Sequence, residues 1–333
     1  MPNFDRFGIA TFPQQCYNNC ITEILKKLRK ILVRSEVMAA DLHCHTKLSD
    51  GSVGIEDLIV IAKKSGIDTI AITDHDCLAG TVRGQVIGKR YGVNVIPGVE
   101  ISAFDFEAGK KVHILSYLAD APNRLEGICK RTSVARKRAG QIMMLKTAGR
   151  FPITSDFIIS HASGSTNLFK QHIMHALMDA GYTDKIFGDL YYALFDEKSE
   201  TNILAPTKYP SVEDVINEIH SAGGIAVLAH PSKFDNFDEI DKYVKFGLDG
   251  IEVWHPLASD EDIERLSEVC KKKKLLLTGG SDFHGIYGDK TVTLGTCSTP
   301  QEHLDKLLGY KAKKKRAQRK AEKAAKEAAE NAQ

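Results

Sequence analysis

At 333 residues the chain is long enough for one large α/β barrel or two ordinary domains, and its 43% apolar and 26% charged residues are those of a globular protein. No stretch approaches the roughly 18 consecutive apolar residues of a membrane-spanning helix, and no P-loop of the form G-x-x-x-x-G-K-[ST] occurs. The net charge of +2 is unevenly placed: residues 311–333 hold nine Lys or Arg against three Glu, leaving 1–310 at about −4 and excluding a global nucleic-acid footprint on the body.

Residues 1–12 lack the basic, apolar, small-residue order of a signal peptide, so a cytoplasmic protein is expected. Seven scattered cysteines without a C-x-x-C pair fit reduced thiols better than a disulfide framework. Within 1–38, Ile21, Ile24, Leu25, Leu28, Ile31 and Leu32 recur at spacings of three and four. This predicts an amphipathic helix that packs on the body or a partner, or rests on a membrane surface.

From residue 41 the rhythm becomes strand then helix. Strands are expected at 41–45, 69–73, 93–100 and 112–118, with helices at 54–65 and 79–91 between them. The rhythm breaks over 121–209, a stretch of helical segments that reads as an inserted cap. One of these segments is basic (Lys130, Arg131, Arg136, Lys137, Arg138) and one carries His161, His172 and His175. Strands return at 225–229, 250–254 and 275–278, separated by helices, so the βαβ rule predicts seven parallel strands. The expected fold class is α/β, a distorted seven-stranded TIM-like (β/α)7 barrel over 39–120 and 210–309. The tail 310–333 is a solvated, frayed or disordered helix, or a basic arm for RNA.

In parallel barrels the working residues sit at the C-terminal strand ends. His43 and His45 alternate on the first strand, so both imidazoles face one side, and Asp50 follows. Thr73-Asp74-His75-Asp76 ends the second strand, Glu100 the third, His230 the fifth, His255 the sixth and Asp282-Phe283-His284 the seventh, while His113 begins the fourth. A mouth of histidines and carboxylates without a cysteine cluster suits Mn²⁺, Zn²⁺ or Fe²⁺.

This set of motifs, from His43-Cys44-His45 to Asp282-Phe283-His284, resembles the PHP (polymerase and histidinol phosphatase) phosphoesterase family. Within that family it looks most like the 3′,5′-nucleoside bisphosphate phosphatases, relatives of which trim short RNAs from the 5′ end. The resemblance implies two or three metal ions. His43, His45, Glu100 and Asp282 would hold the first, Asp50, His75 and His284 the second, and Glu100, His113 and His230 the third. Manganese is the first expectation, with zinc or iron as alternatives.

Neighbouring ions lower the pKa of a bridging water and neutralise phosphoryl oxygens, so a hydroxide could attack phosphorus in line without a covalent enzyme intermediate. His75 and Glu100 would be catalytic through the metals. Asp76 would contact the sugar or orient a proton, or else cap the helix before Leu78. Arg138, Lys170, His172 and Lys233 are the candidate substrate-binding residues. The expected reaction is removal of one phosphate from a small nucleotide such as adenosine 3′,5′-bisphosphate. The alternatives are 5′ to 3′ trimming of short oligoribonucleotides, histidinol-phosphate hydrolysis, and a non-catalytic metal-binding interaction module. Oligomeric state is not readable from the sequence.

Overall fold

The computed structural model describes residues 40–288 and 292–330, the side chains of 315 and 317–330 excepted. The amphipathic helix expected within 1–38 lies outside the described residues. Seven strands cross one sheet in chain order: β1 (Asp41–Cys44), β2 (Thr69–Ile72), β3 (Asn94–Asp105), β4 (Lys110–Tyr117), β5 (Ile225–Leu228), β6 (Gly250–Trp254) and β7 (Leu276–Gly279). Helices α1 (Ile55–Lys64) and α2 (Thr81–Tyr91) separate the first three strands. Between β4 and β5 come α3 (Glu126–Arg150), α4 (Ser155–Ser160), α5 (Lys170–Asp179), α6 (Asp189–Phe195) and α7 (Val212–Ser221). Then follow α8 (Pro231–Phe234), α9 (Ile240–Lys245), α10 (Asp260–Lys273) and the long α11 (Gln301–Glu330).

The sheet is mixed, which corrects the all-parallel expectation: β4 runs antiparallel to both β3 and β5. Only residues 106–109 join β3 to β4, far fewer than the dozen or so that a parallel crossover needs. Asp105 closes this turn by accepting the backbone N–H groups of Glu107 and Ala108 at 3.1 Å each. Gly109 supplies the left-handed φ of 68° and donates to the Asp105 carbonyl at 2.8 Å. The reversal has a chemical consequence. It sets His113 opposite Ser102 on the C-terminal half of β3, whereas a parallel strand beginning at 112 would carry His113 to the far end.

Side chains alternate between the two faces of each strand. Ile70, Ile72 and Val95 pack outward against Leu58, Ile59 and Ala62 of α1 and Ile87 of α2. Ile101, Ile114, Ala226, Leu228 and Ile251 pack outward against α7 and α10. The inward positions Leu42, Ala71, Ile96, Leu115 and Val227 form a separate core that Leu304 and Leu307 of α11 join. With both faces buried, the strands read as near-continuous apolar runs. Farther along β3 and near the start of β4 the same inward register turns polar: Glu100 lies four residues beyond Ile96, and His113 lies two before Leu115 on the reversed β4.

The chain after β7 returns to β1. His45 donates its backbone N–H to the Phe283 carbonyl at 2.9 Å, and Phe283 donates to the His43 carbonyl at 3.2 Å. Gly280 makes this approach possible, because a Cβ there would sit 2.4 Å from the His43 backbone nitrogen. Gly280→Ala is therefore expected to cost about 1–3 kcal/mol through forced displacement of β1, read from denaturant melts; wild-type stability would contradict it.

The boundary expected at 310 falls inside α11. Tyr310 donates to the Asp249 carboxylate at 2.7 Å, and Lys311 donates to the Leu118 carbonyl at 2.7 Å. No described helix is long and apolar enough to cross a membrane.

Candidate metal centre

All nine side chains expected as ligands converge at this polar end of the sheet. Glu100, buried at the middle, divides them. Its Oε2 faces His43 Nε2 at 3.3 Å, His45 Nε2 at 3.2 Å and His75 Nδ1 at 3.1 Å. Its Oε1 faces His113 Nδ1 and His230 Nε2, each at 2.8 Å. Asp282 Oδ1 lies 3.4 Å from His43 Nε2 and 3.3 Å from His45 Nε2. Asp50 closes the other side, with His284 Nε2 at 3.4 Å from Oδ1 and His75 Nε2 at 3.8 Å from Oδ2.

Whether such a set suits metal ions is decided by its polar atoms. His43 Nε2, His45 Nε2, His75 Nδ1, Asp50 Oδ1, Glu100 Oε2 and Asp282 Oδ1 are all buried without a hydrogen-bond partner. Six orphaned donor atoms at one spot would cost about 1–3 kcal/mol each if left so, and cations between them would satisfy all six. The charges agree. Burial works against the charge on Glu100, yet His75, His113 and His43 hold its carboxyl well below the usual range. Asp282 is likewise held well below by Lys233 and His43 against the same opposition. Burial drives His230 down to about 3, which leaves it neutral, the form that binds metal. Against their own burial, Glu252 and Glu100 raise His43 and Asp282 and Glu100 raise His45 to about 10, and bound cations would displace those protons. The residues fit a polynuclear divalent centre.

Several supporting residues escaped the sequence reading. Glu252 accepts from His43 Nδ1 at 2.9 Å and from the His230 backbone N–H at 2.8 Å, fixing the His43 imidazole and the backbone that carries His230. Asp74 gathers the Thr46 backbone N–H at 2.7 Å and the Thr46 and Ser49 hydroxyls at 2.8 and 2.6 Å, shaping the loop that carries Asp50. Asp76, His230 and Asp282 all have left-handed backbone, with φ of 51°, 27° and 48°. Such strain, at about 1–3 kcal/mol a residue, collects at functional sites. Glu252→Gln is expected to weaken metal binding by about 10–100-fold, since partners of this kind orient the ligand imidazoles; metal titration monitored by calorimetry measures it.

Two cavities open beside the cluster. One, of about 360 Å³, is lined by Asp50, His75, Lys233, His255, Asp282 and His284. Lys233 Nζ lies 2.9 Å from Asp282 Oδ2 and is raised in pKa, Asp282 and Glu100 outweighing its burial. His255 is buried on this wall, its Nδ1 accepting the Leu257 N–H at 3.1 Å and its Nε2 3.4 Å from Asp282.

The second cavity, of about 890 Å³, is lined by Lys111, His113, Arg136, Phe169, Lys170 and Tyr209 among others. Lys170 takes its expected place there, and its pKa is pushed down to about 8 by burial and by repulsion from Lys111 and Arg136.

Three of the expected residues do not line either of these cavities. Arg138 is exposed on the outside of α3, and the guanidinium in the cavity belongs to Arg136. A helix turns about 100° per residue, so positions two apart face nearly opposite ways. Asp76 lines neither cavity. Its buried carboxylate accepts from Arg136 Nη2 at 2.9 Å and from the Ser102 N–H and hydroxyl at 3.1 Å each, so it positions Arg136, which also stacks on Phe169. The His172 ring turns back to accept the Phe169 backbone N–H at 3.2 Å, and Gln171 is the residue that reaches Asp50, at 3.3 Å.

Comparison with known proteins bears on the same residues. The PHP domain family model matches residues 41–224. The phosphoribosyl 1,2-cyclic phosphate 1,2-diphosphodiesterase of Eggerthella lenta is 36% identical over 255 residues, 75% of this chain and 96% of that one. A 5′-3′ exoribonuclease of Haemophilus influenzae is 28% identical, over 73% and 89% of the two chains. A 3′,5′-nucleoside bisphosphate phosphatase of Chromobacterium violaceum is 26% identical, over 73% and 86%. A crystal structure described as a metal-dependent phosphoesterase of Bifidobacterium adolescentis superposes with a TM-score of 0.73 at 32% identity, covering 82% of this chain and 96% of that one. With a seven-stranded mixed sheet, a buried cluster of histidines and carboxylates with unpartnered donor atoms, and relatives of this kind along most of its length, the chain belongs to the PHP domain family of metal-dependent phosphoesterases.

Proposed function

We propose that the nine converging side chains hold three divalent ions, with manganese first and zinc or iron as alternatives, and that the protein is a cytoplasmic phosphatase of 3′,5′-nucleoside bisphosphates such as adenosine 3′,5′-bisphosphate. In this reading 39–120 and 210–309 form the distorted barrel, with β4 reversed, and 121–209 is its cap. The basic tail is an accessory arm. Ions bound there would supply water activation and neutralise charge on the phosphoryl oxygens.

The rest is the work of this chain's residues. Glu100 and Asp282 keep the imidazoles turned to one centre, while Lys233 faces the phosphoryl group from the Asp282 side. His255, whose Nδ1 accepts the Leu257 N–H, turns its Nε2 to the cavity wall beside Asp282. Asp76 and Ser102 hold Arg136 for a second phosphate, with Lys170 beside it. One observation carries the substrate class: the larger cavity combines these cations with the aromatic faces of Phe106 and Tyr209. Cations suit a phosphate, and aromatic faces suit a nucleobase.

A second reading, hydrolysis of a phosphoribosyl cyclic phosphate, rests on the 36% identical relative. That substrate also joins two phosphates through a ribose but has no base for the aromatic faces. A third, trimming of short RNA, rests on the Haemophilus relative and the basic tail.

Release of phosphate and nucleotide from metal-loaded protein separates them, using adenosine 3′,5′-bisphosphate, a phosphoribosyl cyclic phosphate, a 5′-phosphorylated trinucleotide and histidinol phosphate beside His75→Ala. The proposal expects fastest turnover of the bisphosphate. Preference for the cyclic ester or the trinucleotide overturns it in favour of that reading, and no turnover above the variant leaves a metal-binding module.

Lys170 gives this site a pH signature. The free enzyme loses a cation as pH rises through about 8, so kcat/KM for a bisphosphate falls above that pH. Lys170→Arg, which stays charged, removes that limb of the profile. An unaltered profile in the variant would contradict the assignment.

A further inference from the structure

The helical insertion carries a second group of metal-binding type that shares no residue with the centre at the sheet. We propose that His161, His175 and Asp179 form a separate site for a borderline divalent ion such as Zn²⁺, which clamps α4 to α5. His161 caps the C-terminus of α4. His175 and Asp179 stand four apart on α5, a spacing that puts both on one helix face. One donor atom from each of the three lies within 4.8 Å of the others.

The carboxylate sits between the rings, with Oδ2 3.0 Å from His161 Nε2 and Oδ1 3.7 Å from His175 Nε2. Around a tetrahedral ion with bonds of about 2.0–2.1 Å, neighbouring donors stand about 3.3 Å apart. The two observed separations bracket that value.

Proton accounting points the same way. His161 Nδ1 faces the Phe157 carbonyl at 2.9 Å, and a carbonyl only accepts, so this nitrogen carries the ring proton. A neutral ring then presents a lone pair from Nε2 to a carboxylate oxygen 3.0 Å away, which requires a cation between them. That cation is a second proton or a metal. A proton would satisfy only the His161–Asp179 pair and leave His175 Nε2 idle 3.7 Å from the carboxylate, whereas one divalent ion satisfies both rings and the carboxylate.

His175 has the matching outer partner, since its Nδ1 lies 2.8 Å from the Tyr287 hydroxyl. Histidines that bind metal are oriented in this way through their second nitrogen. Two nitrogens and one oxygen suit zinc and its neighbours. A cavity of about 280 Å³ lined by His161, His175 and Tyr287 gives a hydrated ion access and room for a water as fourth ligand. Tyr287 also lines the cleft beside Asp282 and His284. The clamp therefore reaches the wall of the principal site.

Equilibrium dialysis of the full chain against Zn²⁺, followed by elemental analysis, tests this in wild type, His161→Gln, His175→Gln and Asp179→Asn. Each variant is expected to hold one zinc fewer per chain, and the zinc-induced rise in Tm should shrink in each. Asp179 is half exposed at the end of α5, so its substitution leaves the fold intact, which circular dichroism verifies. Equal zinc content in wild type and in folded Asp179→Asn shows that only a proton bridges these groups and overturns the proposal.

Discussion

Glu100→Gln lowers kcat/KM by about 10³-fold or more on whichever phosphate ester the protein hydrolyses, and it lowers the metal content of the chain with it. Among the described residues Glu100 is the carboxylate with an oxygen toward each half of the cluster: Oε2 meets His43, His45 and His75, and Oε1 meets His113 and His230. A neutral amide there removes the charge that divalent ions would share and presents an NH₂ group to imidazole nitrogens. Metal centres contribute several kcal/mol of transition-state stabilisation. At about 1.36 kcal/mol per tenfold, losing roughly 4 kcal/mol gives the stated factor. Initial rates at saturating Mn²⁺, with metal analysis of the dialysed protein, measure both. Wild-type rates from a variant of normal metal content would mean that Glu100 bridges nothing.

Arg136→Ala is expected to cost about 3–5 kcal/mol of stability, because it leaves the buried Asp76 without its cation, and to raise KM for substrates with a second phosphate. Arg138→Ala, on the exposed face, should stay within about 0.5 kcal/mol and leave KM unchanged. The deficit of Arg136→Ala depends on pH. Burial already raises the Asp76 pKa even with Arg136 opposing it, and loss of Arg136 raises it further. A carboxyl whose folded pKa exceeds its unfolded one makes stability fall as pH rises between the two. The gap between variant and wild type should therefore narrow as pH drops from 7 toward the ordinary carboxylate range. Urea melts of the two variants across pH measure it, and equal effects at 136 and 138 would refute the placement of the guanidinium.

The nine converging residues were legible because each interrupts an apolar strand or sits just beyond one, where a buried strand has no other use for a charge. Strand direction was less legible. A third strand expected to end at 100 and a fourth expected to begin at 112 conceal one strand of twelve residues and a turn of four. The Asp105 and Gly109 turn was the available signal. Glu252, inside Gly-Ile-Glu-Val-Trp, was a second: a carboxylate amid a buried strand must have a partner. The α3 register was hidden for a physical reason. Basic residues at 130, 131, 136, 137 and 138 surround the helix, so no apolar stripe shows which side faces the cleft. His172 misled through the same difficulty, since one position of rotation separates it from Gln171.

Crystals of the full chain grown with Mn²⁺ and measured at the manganese absorption edge test the central claim most directly. Three anomalous peaks are predicted in the mouth of the sheet: one against His43, His45 and Asp282, one against Asp50, His75 and His284, and one against His113 and His230, with Glu100 shared. A single peak there, or none at full Mn²⁺ loading, would contradict the account.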